Sequence, residues 1–463
     1  MAYATIAALG AALLLFVWVG LRARSPHGDL DQYLTARHSQ NATTLGLSFL
    51  ASGMGAWILF APPEVGAFVG PIALAGYALG SALPFLILAW CGPTIRLRLP
   101  RGRSISEYAQ QRFGNGLKHW VSVMSVLYML CFITAELTAI GAITTMLSDI
   151  PGSWTVIAVA VTTLIYTAWG GLRASLATDR WQAWLLVALL LIVGVVAIQA
   201  LPAGAFEQAL PSAPLGVSLS VALTLVIAVT AANLFHQGYW QRVWAAESNE
   251  ALNRGAWLGG VATIVVVMVV GGLGIVAAMS GKNLGQPPAP FFALLTGAPA
   301  WLALPALLLA MALVASSVDT LQNGIASLVT TSRSDFSLKT ARWITVLLMV
   351  PVVLVALQGM SVLRLFLIAD LLCATAVVPV LLGLWQRMTP AAAVAGCVAG
   401  LVGAVLPGWV QTGSFTGGLL AASFPNSIPT LAPFLGALVA STAVSLAVVA
   451  FTRSAAGNGA PRG

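Results

Sequence analysis

The sequence predicts an all-α polytopic membrane protein, and three observations predict it. Of its 463 residues, 59% are hydrophobic and 7% charged, with a mean hydropathy of +0.93; an ordinary soluble domain is about 25% charged. The apolar residues gather into about thirteen runs, most of them near the ~20 residues a helix needs to cross the hydrocarbon core. Lys and Arg fall almost wholly in alternate connections between those runs. This composition excludes a soluble enzyme, a nucleic-acid binder and a disordered scaffold. A formal charge of +8 would hint at nucleic acid in a soluble protein; here it belongs to the loops that orient a membrane protein.

The runs, in order, cover about 3–21, 44–69, 71–98, 118–147, 152–169, 180–201, 217–240, 255–280, 291–331, 341–357, 362–386, 390–411 and 430–452. The first lacks a basic start and a small-residue cleavage site after it, so it reads as a retained helix rather than a signal peptide. Nineteen of the 21 Lys and Arg residues lie in the odd-numbered loops and the C-terminal tail, with Lys282 and Arg364 the exceptions. Basic loops stay in the cytoplasm, which places the N-terminus outside and the C-terminus inside, in a bacterial plasma membrane by default. Arg101–Gly116 is polar and amphipathic and reads as a helix lying on the cytoplasmic surface. No soluble domain, nucleic-acid contact or obligate protein partner is expected; the partners are the lipid bilayer and a small solute. Cys91, Cys131, Cys373 and Cys397 stand singly in apolar stretches with no CxxC, so they read as small buried residues rather than a disulfide or zinc framework.

A pure anchor has no use for so many spans rich in the 45 Gly and 24 Pro. Ionisable groups inside lipid are costly and mark pathways, so transport is the leading class. The second run contains Ala51-Ser52-Gly53-Met54-Gly55-Ala56, then Pro62, Pro63 and Glu64. That composition cannot hold a stiff helix, and broken backbone is tolerated at membrane depth only where it lines a cavity or binds an ion; a merely kinked packing helix is the bland alternative. The seventh run ends with Asn233, His236, Gln237, Tyr239 and Gln241 crowded together. Two interrupted spans five apart fit a binding site between inverted repeats. The ninth run places Ser316, Ser317, Asp319 and Thr320 within two turns. Such hydroxyls often bond their own helix, but three beside a carboxylate form a hard-oxygen set suited to sodium.

Four stretches resemble the sodium:solute symporter family of proline, sugar, sialic-acid, pantothenate and urea carriers. They are ASGMGAW at 51–57, WGGLRASLATDRWQ at 169–182, the ASSVDT run at 315–320 with the ASLVT that follows it, and QRVWAAES at 241–248. The resemblance implies a LeuT-like fold of two inverted five-helix repeats, here about 44–201 and 217–386. The first helix and its loop (1–43) precede them, and 387–463 adds two helices and a short tail. It also implies a sodium site made by the carbonyls of Ala51, Met54 and Leu313 and the hydroxyls of Ser316 and Ser317. A second cation or proton site would fall on Asp179, Ser316, Asp319 and Thr320, although Asp179 could equally pair with Arg173 or Arg180. Gly53 stands where proline carriers have Asp, which weakens a proline assignment.

Candidate solute-lining residues are Trp57, Glu64, Glu136, His236, Gln237, Tyr239 and Trp240. Glu136 lies mid-span, where a carboxylate must be protonated or meet a cation. His236 could instead bond a neighbouring helix, Tyr239 and Trp240 could form an interfacial belt, and Glu64 could sit at the outer mouth. The carboxylates favour an amine or amide, such as urea or a polyamine, with an amino acid next. The expected activity is sodium-coupled symport by alternating access, with Na+ as coupling ion, no organic cofactor and no enzymatic chemistry. A proton-coupled carrier and a solute sensor remain as alternatives.

Overall fold

A computed structural model describes residues 2–22, 34–201, 204, 210–285, 288–295, 300–332, 337–426 and 428–458. Among them the elements are helical. In chain order they are α1 (Ala2–Arg22), α2 (Ala42–Gly53), a 3₁₀ turn (Ala56–Leu59), α3 (Ala61–Phe68), α4 (Pro71–Arg98), α5 (Ile105–Phe113), α6 (Asn115–Leu147) and α7 (Gly152–Ala200). They continue with α8 (Leu215–Asn233), α9 (Gln237–Ala245), α10 (Asn249–Met279), α11 (Pro290–Ala293), α12 (Ala300–Ser332) and α13 (Leu338–Ala356). The chain then forms α14 (Val362–Ala374), α15 (Val377–Leu381), α16 (Pro390–Thr412), α17 (Phe415–Ala422) and α18 (Leu431–Asn458).

Eight described helices are long and apolar enough to cross a membrane, or ten if each of two bent pairs is one span. Two shorter apolar helices, Gly152–Ala168 and Arg342–Ala356, stand beside these, so the described residues do not by themselves reproduce the count of thirteen. The runs read at 152–169 and 180–201 lie in one continuous helix, α7. The interval between those two runs was counted as a connecting loop, and it holds Gly170 and Gly171. It contains no proline, and two glycines cost a helix only about 1 kcal/mol each. Leu172, Ser175 and Leu176 are buried along it, which offsets that cost. The run at 291–331 divides into α11 and α12. The expected amphipathic helix is α5, capped by Ser104, whose hydroxyl accepts the Glu107 N–H at 3.2 Å.

The breaks fall where the composition placed them. α2 stops at Gly53, and the following 56–68 segment leaves at 63° to it. Met54 (φ −103°, ψ 79°) and Gly55 (φ −84°, ψ −169°) are both extended out of the helix. Pro62 and Pro63 do not break the ladder a second time. They lie in the first turn of α3, where the N–H groups have no helical partner to lose. The second break, Leu234–His236, separates α8 from α9. A third lies at Thr375–Ala376, where α14 and α15 meet at 44°.

Close backbone approach holds these pieces together. A Cβ on Gly274 of α10 would overlap the Pro63 backbone of α3, and one on Gly403 of α16 would overlap the Gly436 carbonyl of α18. Small residues at such crossings are how helices pack where lipid removes the hydrophobic drive between them. At the Arg-rich end, His38, Ser39 and Gln40 donate to the carbonyls of Trp244 and Ala245, and Glu247 donates back to Gln40. The segment entering the first broken helix is thereby tied to the end of the second.

Candidate functional site

The first break is held open by a carboxylate. At Met54 and Gly55 the helical ladder is lost, and the next two N–H groups point at Glu136 of α6. Ala56 donates to Glu136 Oε2 at 2.6 Å, and Trp57 donates to Oε1 at 3.4 Å. Glu136 is fully buried. Gly55 allows its approach, since any Cβ there would overlap the carboxyl group. The partial positive charge of unpaired helix N–H groups is thus answered by a side chain of the protein itself.

Three of the expected sodium ligands lie on one helix packed against this break. α12 packs against α2 and the 3₁₀ turn, and it carries Leu313, Ser316 and Ser317, all buried. The Ser317 hydroxyl is buried with no hydrogen-bond partner in the structure. Such a group costs about 1–3 kcal/mol when left unsatisfied, so its orphaned state fits a cation ligand. The Ala51 carbonyl accepts only the Met54 N–H, at 3.2 Å, across the break. The donor set of carbonyls and hydroxyls suits a hard monovalent ion.

Of the second cation or proton site, Asp319 and Thr320 are buried on α12. Asp319 is held by two residues that the sequence reading did not single out. Tyr166 donates to Oδ2 at 2.8 Å and Ser175 to Oδ1 at 2.7 Å, while Ser175 also meets the Thr320 hydroxyl at 2.9 Å. Ser175 lies inside the 169–182 signature and was legible there as a hydroxyl near Asp179. The side chain of Asp179, with those of Arg173 and Arg180, lies outside the described residues.

The solute candidates divide. Trp57 lies in the 3₁₀ turn after the break, its indole N–H donating to the Gly53 carbonyl at 2.9 Å. Its ring stacks on Tyr77 at 5.6 Å and meets Phe366 edge-on at 6.3 Å. Phe366 in turn meets Phe132 at 4.9 Å, and Phe132 meets His236 at 5.9 Å. His236 stacks on Tyr239 at 4.2 Å, and neither of its ring nitrogens has a hydrogen-bond partner. These rings form a continuous aromatic wall joining the two breaks. Gln237 and Trp240 are turned elsewhere. Gln237 donates to the Arg103 carbonyl at 2.6 Å and accepts from the Ile105 N–H at 3.3 Å, which fastens α9 to the start of α5. Trp240 donates to the Leu234 carbonyl at 2.7 Å and closes the second break from behind. Glu64 is partly exposed in the first turn of α3.

One residue of this chamber was missed. Asp370, on α14, is 5% exposed and lies on the same helical face as Phe366, four residues earlier. Tyr77 and Tyr128 lie near it. The signal was a lone carboxylate in the apolar run 362–386, the same kind of signal that singled out Glu136.

Two broken helices joined by ring-to-ring contacts, with a helix of buried hydroxyls packed against the first break, match the plan of a LeuT-type membrane transporter. Comparison with known proteins agrees. A Na+-coupled sialic acid symporter in a substrate-bound outward-open state has the same fold, with a TM-score of 0.77 at 15% identity, covering 96% of this chain and 97% of that one. The model of the sodium:solute symporter family matches residues 33–400, and the chain belongs to that family. A spermidine transporter of Candida albicans is 29% identical over 361 residues, covering 76% of this chain and 69% of that protein. A sodium/glucose cotransporter of Danio rerio is 30% identical over 181 residues, but the match spans only 26% of its length.

Proposed function

We propose that the protein is a sodium-coupled symporter of a small organic amine, with a polyamine favoured over urea and an amino acid less favoured. The observation that carries the solute class is Glu136 bound to the N–H groups of the first break. In a transporter whose solute is a carboxylate, free helix ends of this kind can bind that carboxylate. Here the protein supplies its own, so these N–H groups are not free for a solute carboxylate, and the aromatic faces beside the break attract cations. The similarity to a spermidine transporter points the same way.

Sodium would be held by the carbonyls of Ala51, Met54 and Leu313 and the hydroxyls of Ser316 and Ser317. Asp179, Ser316, Asp319 and Thr320 would form a second cation or proton site. The two five-helix repeats, 44–201 and 217–386, would rock about the chamber and expose it to each side in turn. The basic loops would face the cytoplasm, with the N-terminus outside. His236, Tyr239, Trp57 and Glu136 would contact or shape the solute.

The test is the melting temperature of the purified protein in sodium against potassium chloride at equal ionic strength, then with spermidine, putrescine, urea, proline and alanine. A ligand that binds the folded state raises the melting temperature by mass action. Stabilisation by sodium, deepened by an amine and not by an amino acid, supports the reading. A pH-dependent amine effect without any sodium effect would replace it with proton coupling.

A further inference from the structure

Asp370 poses a physical problem that the sodium site does not solve. It is a carboxylate 5% exposed in the middle of the apolar helix α14, and no described residue donates a hydrogen bond to it. Arg364, the basic residue of the same helix, is turned away, with its Nε donating to the Ser423 carbonyl at 3.0 Å. A buried, unpaired carboxylate costs several kcal/mol. Such a group is either protonated or meets a cation that the chain itself does not supply.

The surroundings say what that partner is. One helical turn before Asp370, Phe366 touches both Trp57 and Phe132 edge-on, so this face of α14 looks into the chamber. Tyr77, stacked on Trp57 at 5.6 Å, lies within electrostatic reach of Asp370 and also of Glu64. Tyr77 therefore lies near both carboxylates. Glu64 follows Trp57 by seven residues along the second half of the broken helix. At about 1.5–2 Å rise per residue this is roughly 10–14 Å and close to the same face. No hydrogen bond to the Glu64 carboxylate is found among the described residues either. Glu136, by contrast, is already engaged by Ala56 and Trp57.

We propose that Asp370 and Glu64 are the two anchors of a linear polyamine, Asp370 holding one ammonium deep in the aromatic chamber and Glu64 a second nearer the mouth. The Trp57–Tyr77 stack near both provides the apolar and π surface for the connecting methylenes and for a cation passing between the carboxylates. The inference rests on the amine reading given above. It adds which carboxylates bind and why a chain with two ammonium groups is preferred to one.

The experiment compares butylamine, putrescine and spermidine, each titrated into the purified full-length protein in saturating sodium chloride, with melting temperature as readout. Each charge-assisted contact is expected to change affinity by about ten- to a hundredfold. Asp370→Asn should lose that much for all three amines while keeping the stabilisation by sodium, which shows that it folds. Asp370→Glu should restore binding in part. Glu64→Gln should leave butylamine unchanged and remove the advantage of putrescine and spermidine over it. Wild-type protein that binds spermidine no tighter than Asp370→Asn would overturn the proposal and leave the amine reading standing. Equal loss for butylamine and spermidine in Glu64→Gln would overturn the two-anchor arrangement. Wild-type protein stabilised by sodium but by none of the amines would overturn both readings.

Discussion

Gly55→Ala isolates what Glu136 does at the first break. Gly55 has φ −84° and ψ −169°, an extended conformation open to any residue, so alanine adds no backbone strain. What it adds is a methyl group where the Glu136 carboxyl group now sits, overlapping Cδ and both oxygens. The carboxylate must then leave the Ala56 N–H at 2.6 Å and the Trp57 N–H at 3.4 Å. A hydrogen bond to a charged group contributes about 1.5–3 kcal/mol. Only the shorter of these has full strength, so the change should cost about 2 kcal/mol, roughly thirtyfold in an equilibrium constant. The loss should appear in sodium binding, because the carbonyl of Met54, immediately before Gly55, is one of the proposed ligands. The assay is binding of radiolabelled sodium to purified protein, run as a double-mutant cycle with Glu136→Ala. In the Glu136→Ala background the space is already vacated, and Gly55→Ala should cost under about 0.5 kcal/mol. Unchanged sodium affinity in the single variant, or the same cost in both backgrounds, would refute a strut from Glu136 to the break.

Three further outcomes follow from particular contacts. Ser317→Ala should weaken sodium binding about tenfold or more yet leave the melting temperature in potassium chloride unchanged, because its hydroxyl makes no hydrogen bond that could be lost; a drop in potassium would mark it as structural. Gly274→Ala, whose methyl would meet Pro63 backbone, should destabilise by about 1–3 kcal/mol, while Gly272→Ala, with nothing within 4 Å, should not; equal melting temperatures would reject the α3–α10 contact. Arg112→Lys should lower the melting temperature, by about 1 kcal/mol in stability after allowing for its partial exposure. The guanidinium forks to the carbonyls of Gly383, Trp385, Gln386 and Met388 at 2.7–3.1 Å, and an ammonium cannot reach all four.

What the sequence made legible was what local composition controls. Met54 and Gly55 leave the helix because Ser52-Gly53 and Gly55 cannot sustain it, and the crowd of polar residues around His236 marks the second break. The helix α5 was visible from its polar, amphipathic composition. The reading went astray where tertiary packing overrides local preference. The two runs 152–169 and 180–201 looked separate, but Leu172, Ser175 and Leu176 are buried along the stretch between them and α7 is continuous. Gln237 and Trp240 have the chemistry of solute ligands, yet their polar atoms are turned to Arg103 and Leu234. Nothing along the chain distinguishes them from His236, whose ring nitrogens stay unpaired. Three of the intramembrane carboxylates make the same point most sharply. Glu136, Glu64 and Asp370 look equivalent in sequence, each a lone charge in an apolar stretch. Their difference comes from partners far away in the chain: Glu136 meets N–H groups 79 and 80 residues distant, and Asp370 meets none. A carboxylate already engaged by the protein shapes the site, and one left unpaired is available to what the site binds. Telling one from the other requires the contact between helices, which no spacing within a single helix encodes.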